Sequence, residues 1–324
     1  MKLRLANVAF VVRCTDTTLL DALRDDFGTA EDDALIVFRF HAIVRPLPKV
    51  AEQGLSLGRA RIARWTSSVA ALTYFRETWV VHRFNERRAL VVGPQREEVL
   101  AVLSLVVQSA IGEWLDRRGV HRVHASAVDL PGGPVLFLGP SGRGKSSHAH
   151  AFFCAGMSVL ADDTAFVAPN GSLVPCSLPI KLRYRPEPPI STRLQETARG
   201  EQRFVVSVPD APDALGKPAR TFVLLDRADV ARARFRTASR GRLFLALLRW
   251  MVLGHELPQM WELFLRPSLS DVVAKAGILA SRLRLAVALT RKGTLDRLEA
   301  KPGSETILAE ALDVPLGRAA VSSP

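Results

Sequence analysis

Val135-Leu136-Phe137-Leu138-Gly139-Pro140-Ser141-Gly142-Arg143-Gly144-Lys145-Ser146 is the stretch from which the rest of the chain can be read. Four apolar residues run into a glycine, and Gly139 to Ser146 then satisfies GxxxxGK[ST] at every fixed position. Each requirement has a physical cause. Glycines let consecutive backbone N–H groups turn inward around an anion, and a helix that starts at the loop adds the positive end of its dipole. The lysine can reach the β- and γ-phosphates of a nucleotide, and the hydroxyl after it can take a Mg²⁺ ion. The expected setting is a short buried strand over Val135–Leu138 and a helix from Lys145 to about Ala155, stopped by Gly156. Gly139, Ser141, Gly142, Arg143, Gly144, Lys145, Ser146 and Ser147 are then the nucleotide-holding residues, with ATP and Mg²⁺ as the implied ligands. A chance match in a glycine-rich turn is the competing reading, and the patterns on either side speak against it.

Two further features lie close by. Asp162-Asp163 comes 17 residues after Lys145, just past the strand-like Ser158–Ala161. His124 comes 21 residues before Lys145, on a strand expected over His121–Leu130. One helix and one strand separate the acidic pair from the loop, so that strand can return the pair to the nucleotide. A carboxylate within hydrogen-bond reach can take a proton from an acceptor hydroxyl as the γ-phosphoryl moves across. Two adjacent aspartates can divide base and metal work, because hard oxygen ligands suit Mg²⁺. The alternatives are a solvated turn for the pair and a core histidine bonded to a backbone carbonyl for His124. His121, His148 and His150 read as packing or surface residues, and Cys154 as buried on the helix after the loop.

The segments His124-Ala125-Ser126-Ala127-Val128, Gly139–Ser146 and Leu160-Ala161-Asp162-Asp163 together resemble the HPr kinase/phosphorylase family. That family's nucleotide core is related to the core of ATP-dependent phosphoenolpyruvate carboxykinase. The resemblance covers residues 121–168 and is faint elsewhere. It implies an α/β P-loop nucleotide domain of this type with a smaller N-terminal α+β unit. It also implies an ATP-dependent serine kinase acting on a peptide or protein, in the branch that includes lasso-peptide tailoring kinases. On this resemblance Asp162, Asp163, His124 and Lys145 are the catalytic residues. Asp162 is similar to the family's general base, Asp163 to its neighbour that holds metal with Ser146, and His124 to the histidine beside the loop. The family's Gly-rich signature with an embedded glutamate is not found after the acidic pair, and Leu178-Pro179-Ile180-Lys181-Leu182-Arg183 stands in its place. The resemblance therefore does not extend to a second metal contact or to phosphate-driven dephosphorylation.

In that replacement Lys181, Arg183 and Arg185 alternate, so on an extended strand they would share one side. Lys181 and Arg183 are candidate substrate-binding residues, able to hold an acidic acceptor or to steady charge on the transferring phosphate. An ordinary solvated strand face fits the same pattern. Two other functions keep the same core: an ATP-binding regulatory module without transfer, and a small-metabolite kinase.

The 324 residues leave room for two domains. With 48% hydrophobic and 23% charged residues the chain has a globular rather than a disordered composition. Its net charge of +12 favours an anionic partner, although Arg-rich codon usage gives the same number. No Lys/Arg cluster is interleaved with aromatics, so nucleic acid is not an expected partner. No uninterrupted apolar run approaches about 18 residues, so neither is a membrane. Cys14, Cys154 and Cys176 form no CxxC pair, which fits a reducing, cytoplasmic setting. A homo-oligomer is compatible with this reading.

Residues 1–93 read as the N-terminal unit, with acceptor recognition as its assigned role. A connecting helix is expected over 94–120, where Val99, Val102, Leu103, Val106, Val107, Ala110 and Ile111 recur at three and four residues. The kinase domain would follow over 121–300, with a tail over 301–324. Within it Leu243–Leu253 and Asp271–Arg282 are expected helices and Leu283–Leu289 a strand.

Overall fold

The computed structural model describes residues 1–46, 55–57, 60–75, 77–176, 178–186, 192–196, 202–209, 216–227, 234–257, 260 and 266–300. The tail beyond residue 300, with its apolar Ile307–Leu312, lies outside them, as do parts of the Pro-rich segments. The protein is mixed α/β and divides into two units. One comprises Met1–Arg118, Thr192–Val205 and Pro258–Gly277, the other Gly119–Ser191, Val206–Leu257 and Ile278–Pro324.

The first unit begins with β1 (Lys2–Leu5), β2 (Val8–Arg13), α1 (Thr17–Phe27), β3 (Ile36–Val44) and β4 (Leu55–Leu57). It continues with β5 (Ala60–Trp65), β6 (Val69–Tyr74), β7 (Thr78–Arg83), β8 (Arg88–Gly93) and α2 (Arg96–Asp116). The strands make one sheet in the order β1-β2-β3-β8-β7-β6-β5-β4. Asp16 starts α1, its carboxylate accepting the Leu19 N–H at 3.0 Å. Helix α2 packs on β3, β7 and β8, within this unit rather than as a free connector. Its apolar row from Val99 to Ile111 is buried, worth about 1.5–3 kcal/mol for each large side chain. Among the described residues α2 is the one helix long and apolar enough to cross a bilayer, but most of it is buried in the protein.

At the C-terminal end of α2, Glu113 collects several cations. Arg117 Nη2 and Arg266 Nη2 each donate to it at 2.8 Å, and the Lys275 ammonium forms an ion pair with it at 2.7 Å. Arg117 also reaches Asp271 at 2.9 Å. Burial alone would raise the Glu113 pKa, but Lys275 and Arg266 outweigh it and hold the carboxyl below its ordinary value.

The second unit carries β9 (His121–Val123), β10 (Ala125–Leu130), β11 (Gly133–Leu138), α3 (Lys145–Cys154), β12 (Ser158–Ala161), β13 (Ala165–Val167) and β14 (Leu173–Val174). The short strands β15 (Ile180–Leu182), β16 (Thr192–Glu196) and β17 (Gln202–Val206) come next in the chain. They are followed by β18 (Thr221–Arg227), β19 (Arg234–Thr237), α4 (Arg240–Leu247), a π turn over Leu248–Val252, α5 (Leu269–Lys292) and β20 (Thr294–Ala300). Six strands form a sheet in the order β12-β10-β11-β18-β20-β19, and a smaller sheet runs β14-β13-β9. Leu136, Leu138, Leu160, Phe222, Met251 and Leu285 meet in its core.

Leu283–Leu289, expected as a strand, is the last part of α5. The buried Ile278, Arg282, Leu285, Ala286 and Leu289 recur at three and four residues, the helical period. Leu, Ala and Arg also favour helix intrinsically. Strand β20 then forms where no element was expected.

Candidate active site

The register of the six-stranded sheet brings the sequence features together. Strand β10 lies between β11 and β12 and is antiparallel to both. Ala125 pairs with Leu138 and Ala127 with Ala161, so the start of β10 meets the exits of both neighbours. The glycine-rich loop leaves from Leu138, the acidic pair from Ala161, and His124 stands between them. In open α/β sheets such strand ends are where ligands bind.

The same place is a crossing from one sheet to the other. His124 separates β9 from β10, and Asp162–Thr164 separates β12 from β13, while β13 pairs with β9 through Ala165 and Val123. Thr164 N–H donates to Asp162 O at 2.8 Å, closing a tight turn around Asp163, whose φ is +64°. Aspartate tolerates this left-handed conformation better than most residues. The turn sends the two carboxylates into different environments: Asp162 is buried, and the side chain of Asp163 is 56% exposed.

The loop itself needs its glycines. Gly139 has φ +157°, and a Cβ there would sit 3.2 Å from Leu225 O. Gly144 has φ +92° at the start of α3, and a Cβ would meet the His148 ring at 3.2 Å. That ring is buried beneath the loop, its Nδ1 2.6 Å from Gly144 O. Lys145 is also buried, and its ammonium donates to Gly139 O at 2.9 Å and to His124 Nε2 at 2.9 Å. An ammonium only donates, so Nε2 must accept and the His124 proton sits on Nδ1, which donates to Asp163 O at 2.9 Å. Burial lowers the pKa of His124, and the neighbouring Lys145 charge acts the same way against the pull of Asp163. A neutral ring follows. Burial lowers the Lys145 pKa too, opposed by the charges of Asp163, Asp162 and Glu256.

Asp162 has the most displaced carboxyl of the cluster. Burial, with the Asp163 charge beside it, pushes it up to about 6. Hydrogen bonds from Ser126 and Ser146 and the charge of Lys145 work against that rise. Ser126 Oγ donates to Asp162 Oδ1 at 2.5 Å, which fixes the orientation of the carboxylate. Ser146, whose hydroxyl also acts on this carboxyl, stands in the first turn of α3.

His124, Lys145, Ser146, Asp162 and Asp163 therefore form one cluster. Lys181 is the exposed centre of β15, between buried Ile180 and Leu182, and α3 packs on that strand. The strand stops at Leu182, so Arg183 and Arg185 lie in the exposed bend after it and the alternation does not define one face. Cys154 is exposed rather than buried, at the last turn of α3. Two members of the site carried no role in the sequence analysis. Ser126 could have been found from its place one strand period after His124. Glu256, whose carboxylate accepts the Ser141 N–H at 2.5 Å, had no local signal at all.

Among the described residues no three His, Cys, Asp or Glu side chains are grouped to hold a metal ion by themselves. Mg²⁺ in phosphate-transfer sites uses one or two protein oxygens and completes its shell from phosphates and water, so the Ser146 hydroxyl and the exposed Asp163 carboxylate suit it. Comparison with protein-family models finds no match, and comparison with curated proteins finds none either.

Proposed function

We propose that the chain is an ATP-dependent phosphotransferase of the HPr-kinase-related type, moving the γ-phosphoryl group to a serine hydroxyl of a peptide or protein. The observation that carries this reading is the junction of a GxxxxGKS loop with a buried carboxylate poised near pH 6. Mere nucleotide binding has no use for Asp162, whereas a general base works best with a pKa close to the operating pH.

The acceptor hydroxyl gives its proton to the Asp162 carboxylate as its oxygen bonds to the γ-phosphorus. The bond from that phosphorus to the β-phosphate oxygen breaks, and ADP leaves. Ser126 keeps the base oriented through Oδ1. His124, by accepting from Nζ, holds the Lys145 ammonium at the mouth of the loop, where phosphate oxygens would sit. Ser146 and Asp163 would hold Mg²⁺, which supplies charge neutralisation on the phosphate oxygens. The test is to incubate the protein with γ-labelled ATP and serine-containing peptides and to locate the label. Labelled phosphoserine is expected. Nucleotide binding without any transfer would reduce the chain to a regulatory ATP-binding module, and label on a small metabolite would change the acceptor.

A smaller effect is expected from the basic residues. Lys181→Ala and Arg183→Ala should lower kcat/KM for the peptide by about threefold to thirtyfold, the range for losing an exposed charge-assisted hydrogen bond. ATP affinity should change little. A raised KM alone means acceptor binding, and a lowered kcat means stabilisation of the transferring phosphate. Steady-state kinetics beside the exposed control Arg291→Ala decide it, and equal behaviour of all three variants would remove these residues from acceptor recognition.

A further inference from the structure

Glu256 reaches the glycine-rich loop from far along the chain. It follows the π turn in a tight bend where Gly254 (φ +63°) and Glu256 itself (φ +66°) both adopt the left-handed conformation. For glutamate that conformation is disfavoured, so the surroundings must impose it. They do so through the backbone. His124 N–H donates to Trp250 O at 3.0 Å, His255 N–H to Arg249 O at 3.1 Å, and Leu257 N–H to Gly254 O at 3.2 Å. Arg282 Nη1 donates to Val252 O at 3.3 Å. π turns of this kind recur at functional sites.

The bend delivers a carboxylate onto the loop. Its Oε2 accepts the Ser141 N–H at 2.5 Å and lies 3.3 Å from His124 Nε2. The Ser141 hydroxyl also bonds to it, and its charge acts on Lys145. A loop N–H and the loop lysine are groups that would otherwise face phosphate oxygens. A carboxylate is the nearest equivalent of such oxygens that a side chain can offer. We propose that Glu256 is an internal competitor for the nucleotide. Its carboxylate takes the place of a terminal phosphate oxygen at Ser141 and has to swing aside when a nucleoside triphosphate binds. This rests on the phosphate-loop assignment above. Because the contact lies beside Lys145 and His124, a triphosphate feels the competition more than a diphosphate. The loop is thereby closed to weakly held anions and opens only to a ligand whose other contacts outweigh the carboxylate.

Equilibrium binding of fluorescent ATP and ADP analogues to the full-length wild type, Glu256→Ala and Glu256→Gln tests this, together with hydrogen exchange at the Ser141 amide without nucleotide. Glu256→Ala should bind the ATP analogue about tenfold more tightly, the effect of removing one charge-assisted contact. The ADP analogue should gain less. The near-isosteric Glu256→Gln, which keeps an acceptor oxygen and loses the charge, should fall between. Exchange at Ser141 should be faster in Glu256→Ala. Unchanged or weaker ATP binding in both variants overturns the competitor role while leaving the loop assignment standing. Failure of all three proteins to bind either analogue removes the loop assignment, and the competitor with it.

Discussion

Asp162→Asn should slow phosphoryl transfer by about 10²–10⁴-fold while leaving ATP binding nearly intact, because asparagine has the same shape and cannot take a proton. The wild-type rate should rise with pH through about 6, as the Asp162 carboxyl ionises, and the residual rate of the variant should lose that rise. Stability should move in the opposite direction. The folded state holds the Asp162 proton up to about pH 6, whereas the unfolded chain releases it near 3.8. Between those values the folded protein binds the extra proton, so its stability falls as pH rises, and above 6 the whole cost of the buried charge is present. The gap corresponds to about 3 kcal/mol, an upper figure for what the variant regains at pH 7. Below about pH 4 the gain should vanish. Denaturant titrations of both proteins between pH 4 and 7.5 read this directly. A variant with wild-type turnover would show that Asp162 is not the base, and one that no longer binds ATP would give it a metal or folding role.

Lys145→Ala should reduce kcat/KM by at least about 10²-fold, the usual effect of losing one positioned donor at developing charge, and should weaken binding of Mg·ATP. The fold should survive. The ammonium is buried against His124 Nε2 and two loop carbonyls, and burial already disfavours its charge. Removing it abolishes that desolvation cost. Calorimetric titration with Mg·ATP and a thermal melt of the same sample separate the two effects. Full activity in this variant would mean that the loop is not where nucleotide is held.

The loop, His124 and the acidic pair were legible because each depends on short stretches of chain. The glycines, Lys145 and Ser146 are contiguous, and one helix and one strand carry the backbone to Asp162. Their meeting needed only the pairing of neighbouring strands. Glu256 was illegible for the opposite reason. It comes 111 residues after Lys145 and arrives through a π turn and a left-handed residue, neither of which has a sequence signature. Leu283–Leu289 was misread because seven apolar-rich residues fit a strand or a buried helix equally well, and length alone settles the matter. Arg183 and Arg185 lost their shared face for a similar reason, since alternation predicts a common side only where the strand continues.

The cations around Glu113 bear on how the protein is made. Arg266 and Lys275 belong to the same unit as Glu113 and are 153 and 162 residues further along the chain. A ribosome adding about 5–20 residues per second needs roughly 8–32 s to bridge the 162 residues. For that interval the nascent N-terminal segment holds a carboxylate, destined for burial, that lacks two of the three cations described around it. The unit should therefore close only after two of the other unit's three segments have been synthesised, not before. A gene fragment ending at Arg118 should yield an incomplete and aggregation-prone product, while fusing both Thr192–Val205 and Pro258–Gly277 to its end through flexible linkers should restore a cooperative fold.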